Sequence, residues 1–336
     1  MPTVAGMRTS SLGATPGAPP PEAAGHRPVL LHQLIESLQP TAGQTAVDAT
    51  LGGGGVTNAL LERVAPGGRV IAVDRDAGAI AAARARAAPE HVTLDAVHGN
   101  FAELDDIVVR LGVSAVDAVA LDLGISSLQL DDAERGFSFS HDGPLDMRMD
   151  RSDTRRAADI VNGTPEDELA QLIRELGDER FARRIARAIV AERQRSPLET
   201  TARLRHVIEA AVPRHLWPKR IHPATRTFQA LRIAVNGELD NLERGLQASL
   251  RILRPGGRLG VISFHSLEDT LVKNTLHVAA TSCLCPPQQP HCTCAHRATI
   301  SLISRRAIRP DADEIAANPR ARSARLRVAE KTAPAD

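Results

Sequence analysis

Val47-Asp48-Ala49-Thr50-Leu51-Gly52-Gly53-Gly54-Gly55-Val56-Thr57 is the stretch on which the reading of this chain turns. A short apolar run over residues 44–48 ends on an acid, passes into four consecutive glycines and continues into a helical pattern over 57–64. Glycines let a backbone approach a ligand closely, and a helix start offers unpaired N–H groups. Alone, such a loop serves equally well as a tight turn. Its surroundings favour a ligand. The next apolar run, residues 69–74, ends on Asp74, 20 residues after Gly54, where an acid can accept hydrogen bonds from ribose hydroxyls.

Outward from this loop the same rhythm repeats. Residues 92–98 and 116–122 are further strand candidates, the second ending on Asp122, and residues 77–88 and 101–111 are helical by pattern. Alternating strands and helices predict a parallel sheet covered on both faces. A fifth strand, residues 258–264, follows the turn Pro255-Gly256-Gly257, about 135 residues after the fourth. A simple crossover needs far fewer, so about 100 residues are read as inserted. The insert is helical. Thr164 and Pro165 form a start signal, followed by Leu169, Leu172, Ile173 and Leu176 on one face. Phe181, Ile185, Ala188 and Ile189 make a second stripe that leaves Arg180, Arg183, Arg184 and Arg187 outside it. Thr200 or Thr201 caps a third helix through Val212, and Pro223 opens a long one through Leu246 that returns to the sheet. The expected organisation is a flexible tail over 1–25, an α/β domain from 26–140 and 218–331, and a helical insert over 141–217.

Composition narrows the classes. The 336 residues carry 41 basic and 40 acidic side chains, seven aromatics and 43% apolar residues, which excludes a wholly disordered or fibrous chain. No apolar run approaches the roughly 20 residues of a membrane helix, and the Ala/Gly/Pro/Ser-rich start lacks a leader's apolar stretch. A cytoplasmic protein is expected. The balanced charge hides an asymmetry. Residues 90–150 hold 13 acids against 3 bases, residues 180–232 hold 13 bases against 3 acids, and residues 297–331 hold 9 bases against 4 acids. A dense arginine block suits a polyanion such as nucleic acid, although a solvated helix face is the commoner meaning of such a run.

The loop is not a P-loop, since no Gly-Lys-Ser/Thr follows, and Thr57 stands where a dinucleotide fingerprint wants its third glycine. S-adenosylmethionine, which has no pyrophosphate to cradle, is the favoured cofactor. Phe101 either covers an adenine face or starts a helix in the core. Asp122 opens onto the same crevice as Asp74, because ligands of open α/β sheets bind beyond the carboxyl ends of the strands.

From Leu121-Asp122-Leu123-Gly124-Ile125-Ser126-Ser127 through Leu128-Gln129-Leu130-Asp131-Asp132-Ala133-Glu134-Arg135-Gly136-Phe137-Ser138-Phe139 the chain resembles the RsmH/MraW family. Five later segments agree, at residues 142–150, 177–182, 221–230, 262–269 and 318–324, so the likeness spans about residues 26–331. The resemblance implies a Rossmann-like S-adenosylmethionine-dependent methyltransferase fold with a helical insert. It also implies action on N4 of a cytidine in the decoding region of 16S rRNA, with the small ribosomal subunit as partner. By resemblance the cofactor contacts fall on Gly54, Gly55, Val56, Asp74, Phe101, Asp122 and Gln129. Val56 replaces a common His and Leu128 a usual Pro, so a side-chain contact at 56 is not carried over.

Asp122 is the first candidate for orienting the methyl donor or the amine. Asp146, His222 and Arg226 are candidates for the cytidine pocket, each with a plain structural alternative: a loop anchor, a helix cap and a salt-bridge partner. The Cys283-x-Cys285 and Cys292-x-Cys294 pairs, in a Pro-rich stretch with His291 and His296 nearby, read either as a small zinc knuckle or as a mobile loop of reduced thiols; their spacing departs from the usual C-x2-C, and no metal is assigned. Rival readings are a methyltransferase of the same fold acting on DNA, protein or a small molecule, and a non-catalytic ribosome-binding module. An NAD oxidoreductase is disfavoured by Thr57.

Overall fold

The computed structural model describes residues 28–333 apart from 87, 220, 287 and 290, so the expected tail over 1–25 lies outside the described residues. Seven strands form one sheet: β1 (Thr45–Asp48), β2 (Arg69–Asp74), β3 (Thr93–His98), β4 (Val116–Asp122), β5 (Leu253–Ser263), β6 (Ile300–Leu302) and β7 (Arg325–Lys331). Their order is β3-β2-β1-β4-β5-β7-β6. β1 to β5 run parallel, and β7 is antiparallel to both β5 and β6. The register sets Val47 beside Ile71 on one side and Val119 on the other, and Leu121 beside Val261.

Strand alternation feeds two cores. Val47, Ile71, Val119, Leu121 and Val261 pack against α4 (Leu104–Arg110), α11 (Glu238–Ile252) and α12 (Ser266–Ala280). Ala46, Val70, Ala118, Ala120 and Ile262 face α1 (Leu31–Leu38) and α2 (Gly55–Val64). Strands buried on both faces explain the near-continuous apolar runs of the sequence. α3 (Ala77–Arg84) lies against β2 and β3 through Ile80 and Ala83.

Between β4 and α11 the chain forms α5 (Ser127–Asp131), α6 (Ala157–Gly163), α7 (Glu166–Gly177), α8 (Ala182–Arg193), α9 (Thr201–Ala211) and α10 (Thr225–Asn236). Leu169, Ile173, Ile185, Ile189, Leu204 and Ile208 build a separate helical core. Three expectations are corrected. The long helix from Pro223 is two helices, because Gly237 adopts a left-handed φ of 59° and breaks it. Its first half, α10, contributes Phe228 and Leu231 to the helical core, so that lobe extends past the expected boundary at 217. Thr164 closes α6, and Pro165, rather than Thr164, caps α7. Thr200 caps α9 as expected, accepting from the Arg203 N–H. The strands β6 and β7 have no counterpart among the expected strands.

Candidate active site

β1, β2 and β4 end on Asp48, Asp74 and Asp122, and parallel pairing brings the three acids to one edge of the sheet. The glycine loop bends over this edge. Gly54, at φ 84°, closes the turn and precedes α2. A Cβ on Gly55 would collide with Pro28 Cγ, so only glycine lets the incoming chain cross the helix start.

Hydrogen bonds tie the loop to the strand ends. Asp74 Oδ2 accepts from the Gly52 N–H at 2.7 Å, and its Oδ1 accepts from the Asp76 N–H at 2.8 Å. Burial raises the Asp74 pKa against these two bonds. The Thr57 hydroxyl donates to buried Asp48 Oδ2 at 2.6 Å. The residue that breaks the dinucleotide spacing is thus the one that anchors the loop. Burial pushes the Asp48 carboxyl up to about 6 despite the bonds from Thr57 and Thr50.

Asp122 is arranged differently. Its N–H donates to Thr50 Oγ1 at 2.7 Å, but its Oδ1 is sealed from solvent and has no hydrogen-bond partner. Burial, reinforced by the nearby Asp48 and Glu268 carboxylates, pushes its pKa up to about 8. An unpartnered buried acceptor costs roughly 1–3 kcal/mol and calls for a donor from elsewhere. The half-buried Asp122 carboxyl at the end of β4, a second carboxylate two strands away and the start of α2 suit a cationic nucleoside ending in an α-amino acid. The acids match its positive charge and ribose hydroxyls, and the helix N–H groups match its carboxylate.

A second layer braces these groups. Asp76 caps α3 through the Gly78 N–H and takes bonds from Gln129 Nε2 at 3.0 Å and Arg135 Nη1 at 2.5 Å. Gln129 is buried, and its Oε1 also accepts from the Ser126 N–H in the cap of α5. Arg135 donates further to the carbonyls of Arg148 and Met149. Asn236 holds the same segment as well, donating to the Met147 carbonyl and accepting from the Met149 N–H. Met147, fully buried, sits at φ 64°, a costly conformation for a non-glycine residue. Phe101 is half-buried and lies on α11 at Gly245, where a Cβ would run into its ring. Val56 is buried in the core, so its side chain is not available to a ligand.

The other candidates are already engaged. Asp146 pairs with Arg148 through both oxygens, at 2.9 and 2.7 Å, and these bonds hold its carboxyl below the usual range against the effect of burial. His222 Nδ1 accepts from the Ala224 N–H, and its Nε2 lies 3.0 Å from Glu209 Oε1, between the rings of Phe139 and Trp217. Arg226 donates to the Asp178 carbonyl and lines a cleft of about 250 Å³ with Phe181 and Trp217. Among the described residues no hydrogen bond or ion pair joins Asp122 to Asp146, His222 or Arg226.

The site also includes residues that the sequence reading misses. Arg232 reaches both oxygens of Glu238 at 2.8 Å and lies 4.0 Å from buried Glu268, which in turn neighbours His265. Burial opposes the Arg232 charge, but the two glutamates outweigh it and raise its pKa. Arg232 therefore supplies the positive charge that this acid-rich corner needs. Its sequence signal is its place on the apolar spacing of Phe228, Val235 and Leu239, where a charge needs a buried partner. Arg135 and Asn236 carry no comparable signal.

A seven-stranded sheet of this order, with a glycine loop and aspartates at its carboxyl edge, defines an S-adenosylmethionine-dependent methyltransferase of Rossmann-like fold. The MraW methylase family model matches residues 23–332, and the chain belongs to that family. It is 51% identical over 306 residues to Ribosomal RNA small subunit methyltransferase H of Geobacter sp. (strain M21), covering 91% of this chain and 98% of that one. A protein of the same name from Symbiobacterium thermophilum is 50% identical over 308 residues, 91% of this chain and 96% of that one. Another, from Anaeromyxobacter sp. (strain K), is 50% identical over 307 residues, 91% and 97% respectively.

Proposed function

We propose that this protein transfers a methyl group from S-adenosylmethionine to the exocyclic N4 of a cytidine in the decoding region of 16S rRNA, acting on the small ribosomal subunit. The observation that carries the reading is the unpartnered, buried Asp122 oxygen beside the glycine loop, in a chain about half identical to rRNA small-subunit methyltransferases over nine-tenths of its length. When bound, the cofactor supplies an electrophilic methyl on a sulfonium. Transfer to the amine would leave a neutral thioether and free one proton from nitrogen, which a group of this chain must accept. The cytosine amine is a poor nucleophile because its lone pair is delocalised, so orientation and a well-placed acceptor supply much of the catalysis. Asp122 would offer that acceptor as the carboxylate that a neighbouring cation favours, and its burial, which favours the protonated acid, would let it keep the released proton. Asp74 and the backbone of Gly54 to Val56 hold the cofactor, Phe101 and Gln129 shape its adenosine end, and Asp146, His222 and Arg226 frame the nucleotide through the helical lobe. A paired base cannot reach such a crevice, so the target is unpaired or flipped. Incubation with labelled cofactor and small subunits from a strain lacking the gene is expected to label one cytidine, located by mass spectrometry. Label on another base, or on protein, would overturn the assignment.

The arginine block gives a second test. Arg193, Arg203 and Arg205 are used inside the lobe, and Arg232 is paired with Glu238. Arg183 and Arg184 are exposed and make no ion pair among the described residues, and Arg187 has only an exposed contact with Glu166 at 3.5 Å. These three form the RNA-facing part of the block. The C-terminal block differs, because Arg325 and Arg327 are both bound to Asp269. Reversing Arg183, Arg184 and Arg187 to glutamate is expected to weaken RNA binding and to flatten the slope of log affinity against log salt by about 2. Unchanged affinity and slope in a filter-binding titration would remove these residues from the interface.

A further inference from the structure

We propose that Cys283, Cys285, Cys292 and Cys294 bind one structural Zn2+ at the end of the sheet away from the methyl-transfer crevice. Spacing alone leaves a zinc knuckle and a loop of reduced thiols both open, and the fold favours the first by bringing both C-x-C pairs to one point. All four sulfurs lie within 4.8 Å of one another. Cys283 Sγ is 3.5 Å from Cys292 Sγ and 3.9 Å from Cys294 Sγ, and Cys292 Sγ is 3.6 Å from Cys294 Sγ. Four thiolates around zinc, with Zn–S bonds of ~2.3 Å, form a tetrahedron whose edges are ~3.8 Å. The three separations bracket that edge. A disulfide, by contrast, needs two sulfurs at ~2.05 Å, and all four cysteines are free thiols.

The loop backbone is set up for thiolates. The N–H groups of Leu284 and His296 point at Cys294 Sγ at 3.4 and 3.5 Å, and the Thr293 N–H points at Cys285 Sγ at 3.4 Å. Such bonds spread the charge of a metal-bound sulfur and orient the ligand. Four sulfur donors favour zinc over the harder divalent cations, and four protein ligands close the coordination shell, as in a structural rather than a catalytic site. Placement agrees. The loop joins α12 to β6 and is fastened by the Thr299 N–H to the Ala279 carbonyl at 2.8 Å and by His296 Nε2 to the Val278 carbonyl at 3.0 Å. The fifteen residues of α12, about 22 Å of helix, separate it from His265 at the active edge. On binding, the Zn–S bonds form as the thiols release their protons to solvent. The inference does not depend on the identity of the methyl acceptor.

Full-length protein purified without chelator is expected to contain one zinc per chain by elemental analysis, and a thiol-specific mercurial should release that zinc. The Cys292→Ser, Cys294→Ser double variant should lose it. Because that variant can misfold, the wild-type protein is also stripped and reloaded with Co2+, which should give the visible d–d bands and sulfur charge-transfer absorption of a tetrahedral tetrathiolate. S-adenosylmethionine affinity, measured on the same stripped and zinc-reloaded samples, should not change. Protein that holds no stoichiometric metal, holds iron instead, forms disulfides among these cysteines, or gives an octahedral Co2+ spectrum would overturn the proposal.

Discussion

Asp122→Asn is expected to lower methyl transfer by about 100-fold or more while the protein without cofactor stays folded. The amide keeps the shape of the carboxyl and, like the protonated acid, carries no charge. The unfolded chain ionises this carboxyl at 3.8 and the folded chain at about 8. Between those values the folded protein retains a proton that the unfolded chain has lost, so this group's contribution to stability falls as pH rises through the window. The variant lacks that decline, and its stability relative to wild type should grow as the pH is raised from about 4 to about 8. A cationic cofactor reverses the balance by favouring the carboxylate. Binding at neutral pH should therefore release protons, and affinity should rise with pH until Asp122 is ionised in the free protein. Calorimetry in buffers of different ionisation enthalpy measures the proton release directly, and in the variant Asp122's share should vanish. A variant with wild-type turnover would remove Asp122 from the reaction, and unchanged proton release would assign the linkage to Asp48 or Asp74 instead.

Much of this site is legible in the amino-acid sequence alone. The strand ends at Asp74 and Asp122 fall where the apolar runs stop, because a parallel sheet buries both faces of its strands and turns them into runs that end abruptly on a polar residue. The glycine loop becomes readable through its neighbours, because it follows one apolar run ending on Asp48 and precedes another ending on Asp74. What the sequence hides lies in residues whose meaning depends on distant partners. β7 reads as a basic segment, yet Leu326 and Val328 alternate with Arg325 and Arg327 and face the core, while both arginines close on Asp269. A strand whose charges are neutralised by a helix 56 to 58 residues earlier looks like a surface run. The break at Gly237 is announced by Asn236-Gly237, a turn pair, but the apolar spacing on either side continues in phase and conceals it.

The helical lobe shows the same limit in functional terms. Asp146, His222 and Arg226 stand out through the family motifs, and in the structure Asp146 anchors its loop through Arg148, whereas His222 lies two residues ahead of the α10 cap Ala224 and Arg226 donates to a backbone carbonyl rather than to a carboxylate. The residues that connect the lobe to the crevice are instead Arg135 and Asn236, which both hydrogen-bond to the backbone of residues 147–149. Arg135 lies within the family signature over residues 121–139, but neither its pattern nor that of Asn236 announces burial. Arg135 lies in an acidic loop and Asn236 at a helix end.

Arg135→Ala is accordingly expected to be the most destabilising single change at the site, costing about 3–5 kcal/mol of folding free energy. Arg135 and Asp76 expose only 10% and 15% of their side chains. Removing the guanidinium leaves the Asp76 carboxylate without its main partner and two backbone carbonyls without donors. Lysine should not rescue the loss, because one ammonium cannot reach Asp76 and both carbonyls with the geometry of a planar fork. The pH signature has the opposite sign to that of Asp122. Burial raises the Asp76 pKa, but the bonds from Arg135 and Gln129 more than offset it and hold the carboxyl below 3.8. Its stabilisation is present at neutral pH and is lost on acidification through the folded pKa. In Arg135→Ala this acid limb should flatten. Denaturant unfolding from neutral to acidic pH tests both parts, and Asp76→Asn in the Arg135→Ala background separates the charge from the packing. If the stranded carboxylate is the main cost, neutralising Asp76 should recover part of the lost stability. If it recovers none, the two carbonyl bonds to residues 148 and 149 carry the effect, and Arg135 acts as a brace for the loop between sheet and lobe rather than as a partner for Asp76.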